Sequence, residues 1–302
     1  MNLIEKIPIP ISGLILALFS LGNLLNDVYP TLKIACGLIG LTFLILVILK
    51  LILYPNDIKD DFKNPIIASS SGTFSMSLMI LSTYVLGFMP TIGYGIWILG
   101  IVLHILLIIY FTHHFIMHNF NISNVYPSYW IVYVGITMAA ITAHFHGLKE
   151  IGFIFFVFGF ALMIITVPLI IYRYYKFTDI PDMNKPLICI STAIFSILIV
   201  GYVNSAQSVS IIFLSALYLI ACLCYIFAFY KLIEYRNLKF YPSFSAFTFP
   251  FVISALATKA VGNFISNPIL NPILLLETVI TVIIVAYVLM RYINFLKIDE
   301  SR

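Results

Sequence analysis

Runs of about twenty apolar residues, separated by short breaks rich in Pro, Asn, Asp and Lys, recur along the whole chain. That is the pattern of helices crossing a hydrocarbon layer about 30 Å thick. The runs fall at roughly 8–27, 31–53, 65–87, 91–112, 126–144, 150–172, 186–203, 209–231, 242–261 and 269–292, which predicts ten membrane spans in one all-α domain over 1–302. Lys6 ahead of the first run imitates a secretory signal. Pro8 and Pro10 lie inside that run, however, and no small-x-small cleavage site follows, so it reads as an uncleaved span.

Prolines divide the spans into two kinds. Each odd-numbered span opens with proline, at Pro8/Pro10, Pro65, Pro127, Pro186 and Pro242, and the intervals from Pro10 onward are 55, 62, 59 and 56 residues. Proline in a first turn forfeits no helical hydrogen bond, because that N–H has no partner within the helix. The repeating unit is therefore a helical hairpin, with copies at roughly 8–53, 65–112, 126–172, 186–231 and 242–292. Odd spans are rich in small and hydroxyl residues, as in Ser69–Ser71, Gly72, Thr73, Ser75 and Ser77, whereas even spans are greasier, as in 41–53 and 101–109. Small residues admit close helix contact or line a polar path, and bulky aliphatics suit lipid. The expected architecture is a quasi-fivefold inner ring of odd helices around a central pore, inside an outer ring of even ones.

Composition agrees: 62% of the residues are hydrophobic and 9% charged, against about 25% charged in soluble domains. Charge placement then sets orientation. With the N-terminus inside, the cytoplasmic segments hold Lys6, Lys50, Lys59, Lys63, Arg173, Lys176, Lys185, Lys231, Arg236, Lys239, Arg291, Lys297 and Arg302. Only Lys33, Lys149 and Lys259 remain for the other face, so both termini are expected in the cytoplasm of a cell whose cytoplasmic membrane the chain crosses. The four cysteines all fall inside apolar runs without a CxxC pair, which reads as small apolar filler.

An axis framed by five parallel helix starts has a preferred ion sign. Helix N-termini carry about half a positive charge and attract anions, and the outer cations Lys33, Lys149 and Lys259 favour anions at the other mouth. No Asp, Glu, Lys or Arg falls in the interior of an odd span. A path without fixed charge binds weakly, which suits conduction of small inorganic or organic anions. Glu277 is the one acid at depth, and it reads as a proton-coupling site or, across the last hairpin, as the partner of Lys259 in a structural pair.

Histidines supply a reading of another class, a membrane metalloenzyme: His113, His114 and His118 form HHxxxH and His144 and His146 form HxH. The two clusters fall on opposite faces, about 30 Å apart, and cannot share a metal. His104 lies mid-span and is expected to be hydrogen-bonded within the bundle. The sequence calls for no metal, no cofactor and no catalytic residue. It has no GxxxxGK[ST] phosphate loop and nothing that points to nucleic acid.

Several runs, IPIPISGLILALFSLGNLL, SSSGTFSMSLMILSTYV, YPSYW with Gly135 beyond it, KPLICISTAIFSILIVGY, AFTFPF and ETVITVIIVAYVLMRY, resemble the tellurite-resistance/dicarboxylate transporter family. That family takes in bacterial tellurite-resistance membrane proteins, fungal malate permeases and sulfite pumps, and plant slow-type anion channels. The resemblance implies five hairpins, a pore in each subunit, a homotrimer and a phenylalanine plug at Phe249. It also leaves a proton-coupled exporter of malate, tellurite or sulfite as the alternative to a channel. Phe249 lies seven residues beyond Pro242, about 10 Å along a helix. The same offset reaches Ala17, Gly72, Val134 and Ala193, and with Gly13, Gly135 and Pro250 these are the candidate pore-lining residues.

Overall fold

A computed structural model describes residues 3–297. Arg302 lies outside the described residues. Within them every regular element is helical. The chain begins with a 3-10 turn, Ile9–Ile11, that leads into α1 (Ser12–Leu25). There follow α2 (Pro30–Leu53), the short α3 (Pro55–Asp61), α4 (Pro65–Ser70), α5 (Gly72–Val85) and α6 (Pro90–Phe111), which ends in a π turn, Thr112–His118. Next are α7 (Tyr129–Tyr133), α8 (Thr137–Ala143) and α9 (Lys149–Lys176). A 3-10 stretch, Asp182–Ile190, precedes α10 (Ser191–Ser205) and α11 (Ile211–Tyr235). A second, Pro242–Phe247, precedes α12 (Phe249–Gly262), and α13 (Leu270–Lys297) closes the fold.

Eight of these helical stretches are long and apolar enough to cross a membrane. The first run, Ile9–Leu25, is shorter, and the fifth is interrupted between α7 and α8. The two kinds of run differ in burial. In the most apolar windows of Asp182–Ser205 and Pro242–Gly262, 83% of residues are buried, whereas in Ile211–Tyr235 the share is 22%. The exposed residues of the outer helices are bulky aliphatics such as Ile165, Ile212 and Leu276, as a hydrocarbon solvent allows.

All five proline-led segments change helical form within their first turns. Side-chain hydroxyls mark three of the changes, each donating three residues back: Ser12 Oγ to the Ile9 carbonyl (2.8 Å), Ser71 Oγ to Ala68 (2.7 Å) and Thr248 Oγ1 to Ser245 (2.6 Å). Such bonds draw the backbone toward the tighter 3-10 turn and bend it. Around the molecule the segments touch in the order α1 with α5, α5 with α8, α8 with α10, α10 with α12, and α12 with α1.

The outer helices fasten the loops. Near its end α2 sends Lys50 Nζ to the carbonyls of Glu5 (3.0 Å) and Ile7 (2.7 Å). Tyr110 of α6 donates to the Phe62 carbonyl (3.1 Å). Arg173 of α9 donates through Nε and Nη2 to Ser123 (3.3 and 3.2 Å), with its guanidinium over Tyr126 and Tyr174. Arg291 of α13 reaches Leu238 (3.3 Å). In each case the loop held is the one leading into the neighbouring proline-led segment. Lys50 and Arg173 are buried, and multiple carbonyl acceptors are what make a buried cation tolerable there.

Candidate permeation pathway

A narrow cavity of about 50 Å³ lies where the five segments meet. Each contributes at the point where its α-helix begins: Gly13 at the start of α1, Thr73 at the start of α5, Val134 and Gly135 before α8, Ala193 in the first turn of α10, and Phe249 with Pro250 opening α12. The sequence reading put the helix starts, with their partial positive charge, at the prolines. The changes of helical form carry the starts of the α-helices inward to the level of the cavity. Helix N-termini there are electropositive toward its contents, and no charged residue is among those that line it.

Phe249 is buried. It follows Thr248, whose φ of −93° and ψ of −81° depart from the helix, and Thr248 Oγ1 also approaches the Gly13 carbonyl (3.3 Å) across the α1–α12 contact. A Cβ on Gly13 would stand 3.1 Å from Ser245 Cβ, so glycine there lets α1 and the segment before α12 meet. Polar groups on the lining are few: Ser70, Thr73, Ser245 and the indole of Trp130. Thr73 Oγ1 is 2.7 Å from Ser12 Oγ. Trp130 is buried with no partner for its Nε1, which leaves a donor N–H unspent on a residue of the cavity wall.

Of the expected lining residues, Gly13, Val134, Gly135, Ala193, Phe249 and Pro250 are on the cavity, and Ala17 and Gly72 are not. Both misses are errors of register. Counting seven from Pro10 overshoots, because α1 begins two residues after that proline, so Gly13 takes the place assigned to Ala17. In the second segment the change of form at Ser71 brings Thr73 to the cavity. Gly72 packs outward, where its Cβ would meet Ile131 (3.0 Å), Leu107 (3.1 Å) and His104 (3.4 Å).

The three cations at the far end differ. Lys149 is exposed at the start of α9. Lys33 Nζ sits 4.9 Å from the Tyr84 ring centroid. Lys259 is bound to Asp27, with Nζ 2.7 Å from Oδ2, and this bond holds the Asp27 carboxyl below the usual carboxylate range. The expected Lys259–Glu277 pair is therefore corrected. Successive helical residues point about 100° apart. Thr258 Oγ1 lies 3.1 Å from Tyr218 Oη of α11, and Lys259, one residue on, faces the end of α1 instead. Glu277 is buried in α13 with one carboxyl oxygen unpartnered.

The histidine clusters lie at opposite ends of the bundle and are engaged locally. His118 Nδ1 is 2.8 Å from the His113 carbonyl, while His146 stacks on Trp97 (4.9 Å) with Nε2 3.1 Å from Ser82 Oγ. No group of three His, Cys, Asp or Glu among the described residues is placed to hold a metal. His104, in α6, bridges Ser75 and Val132, the hydrogen bonding expected of it.

A family model described as voltage-dependent anion channel matches residues 7–293. No curated protein matches the chain.

Proposed function

The chain belongs to the voltage-dependent anion channel family, which is the tellurite-resistance/dicarboxylate transporter family, and from that premise we propose that it conducts small anions through a pore within each subunit, gated by Phe249. As a family member with many apolar helices it is a multi-pass membrane protein. The proposal arranges ten helices as five hairpins, with the proline-led segments in a quasi-fivefold ring. Both termini lie in the cytoplasm, the cytoplasmic membrane is the site, and copies assemble as a homotrimer.

The observation that carries this reading is the cavity: all five segments border it, each where an α-helix starts, and Phe249 is on its wall. The cyclic order of contacts among the segments supports the ring. Converging helix N-termini favour anions, and the absence of a cation among the lining residues favours release over capture. A carrier for a dicarboxylate would gain most from a bidentate Arg. A monovalent anion such as chloride or nitrate fits the wall better than malate, tellurite or sulfite. The biased distribution of Lys and Arg supports the topology.

A cavity of about 50 Å³ is too small for a hydrated ion, which is what a closed gate requires. Phe249→Ala is expected to raise chloride or nitrate flux in proteoliposomes by about a hundredfold, by removing a buried ring from the narrowest level. Unchanged flux in a folded variant would refute the gate.

A further inference from the structure

His104 is fully buried on α6, and the proposed pore has no use for it. Its Nε2 lies 3.0 Å from the Val132 carbonyl. A carbonyl only accepts, so Nε2 carries a proton in every state of the ring. Its Nδ1 lies 2.7 Å from Ser75 Oγ, and that hydroxyl lies 2.8 Å from the Gly72 carbonyl. These distances accommodate two protonation states. In the neutral ring the Ser75 hydroxyl donates to Nδ1. In the imidazolium, Nδ1–H donates to Ser75 Oγ, whose own proton turns to the Gly72 carbonyl. One hydroxyl rotation converts the first arrangement into the second and leaves both ring nitrogens satisfied.

The surroundings offer the charged form no counterion. The groups facing the ring are Ser75 of α5, the Gly72 carbonyl and the Val132 carbonyl of α7. The elements packed against α6 also carry Tyr84, Tyr129, Tyr133, His113, His114 and His118, and none of these is hydrogen-bonded to His104. No carboxylate among the described residues pairs with it. An isolated buried charge is costly, so an imidazolium here needs an anion from elsewhere. The cavity supplies the place. Gly135 lines it, and a Cβ on Gly135 would stand only 3.1 Å from His104 Cε1. With no side chain at Gly72 or Gly135, the ring edge stands one layer behind the cavity wall, beside the Gly135 backbone and the Met76 thioether, whose Sδ would lie 2.9 Å from the same Cβ.

We infer that His104 is a proton-binding site linked to the anion in the cavity: a proton on the imidazole and an anion beside Gly135 bind together. Linkage is reciprocal, so the anion raises the ring's hold on its proton as much as the proton raises affinity for the anion. The proton comes from water. Its route runs by Ser75, which also borders a second cavity of about 360 Å³ with Ser12 and Ser71 on its wall. The inference rests on the pore reading above and adds a co-ion to it.

Two measurements test it. Nitrate added to the purified wild-type protein in weakly buffered detergent near pH 6 is expected to draw about one proton per chain, and His104→Gln is expected to abolish that uptake. In proteoliposomes, nitrate flux through Phe249→Ala is expected to rise about tenfold from pH 8 to pH 5 and to be flat when His104→Gln is added. Should His104→Gln fail to fold, Ser75→Ala keeps the imidazole and removes the acceptor for Nδ1–H, so the flux midpoint moves to lower pH. Large flux that ignores pH, or pH dependence and proton uptake that survive His104→Gln, overturns the linkage and leaves the pore standing. Absence of flux from every variant overturns the pore, while proton uptake still decides His104.

Discussion

The proline-led segments, rich in small and hydroxyl residues, and the greasier outer helices fold differently. Helix α9 runs unbroken from Lys149 to Lys176 although Pro168 lies inside it. The five inner segments each change form before their α-helix settles, whether a proline stands at that point or not: in α1 and α10 the α-helix opens on serine. Proline therefore does not by itself decide where a helix is interrupted here. A hydroxyl bonded three residues back marks the change at Ser12, Ser71 and Thr248, whereas Ser191 at the start of α10 makes no such bond.

The contrast is broken most severely at the seam between the two kinds of helix. Thr137 at the start of α8 is held between Gly159 of α9 and Gly201 of α10: a Cβ on either would stand 2.2 Å from its Oγ1 or 2.4 Å from its Cγ2. Turning from one drives Thr137 into the other. Gly159→Leu is expected to cost 3 kcal/mol or more, about the upper end for overpacking, and to eliminate folded protein in a detergent-stability assay, whereas Gly95→Ala, with nothing within 4 Å, leaves the melting temperature in place. Next in size is Arg173→Ala, which removes a buried cation from the Ser123 and Phe177 carbonyls. A loss of about 2–3 kcal/mol is expected, from orphaned acceptors and lost packing on two tyrosines. Lys in its place, a single point of charge, recovers little of the melting temperature.

Thr248→Val sharpens the comparison more gently. It deletes the hydroxyl bond at the turn into α12, worth about 1 kcal/mol, and loosens the residue before Phe249. Basal anion flux should rise a few-fold, well below the effect of Phe249→Ala. The smallest effect belongs to Asp27→Asn. Asp27 is largely exposed, so the pair with Lys259 contributes under about 1 kcal/mol. Because the folded carboxyl is held below its ordinary value, that contribution is present above about pH 4 and is lost as pH falls through the depressed value. A melting temperature measured from pH 7 to pH 3 should converge for the variant and the wild type at the acid end.

Most of the frame was legible in the chain. Proline spacing located the five inner segments, and the count from Pro127, Pro186 and Pro242 reached Val134, Ala193 and Phe249 on the cavity. The same count failed at Pro10, where a 3-10 turn precedes α1 and rotates differently per residue, and at Pro65, where α4 breaks at Ser71 before α5 begins. The outer helices read as plain grease, yet α2, α6 and α9 carry glycine where they meet the inner segments, as Gly100 does against the Ser75 carbonyl (2.9 Å). Trp130 stood in plain view within YPSYW, but the absence of a partner for its N–H is a property of the assembled wall. Lys259 found Asp27 and His104 found Val132 through contacts far apart in sequence, beyond any hydropathy pattern.

The fastening of the loops by Lys50, Tyr110, Arg173 and Arg291 has a consequence for the order of synthesis. Each of these side chains grips the loop just ahead of its own helix pair, and so needs nothing from later in the chain. A pair can be secured as soon as its second helix leaves the ribosome. The contacts that join the first segment to the last, Gly13 with Ser245 and Thr248 and Asp27 with Lys259, wait until translation is nearly complete. The cycle of contacts among the five segments is thus closed last, by the stretch that also brings Phe249 to the cavity.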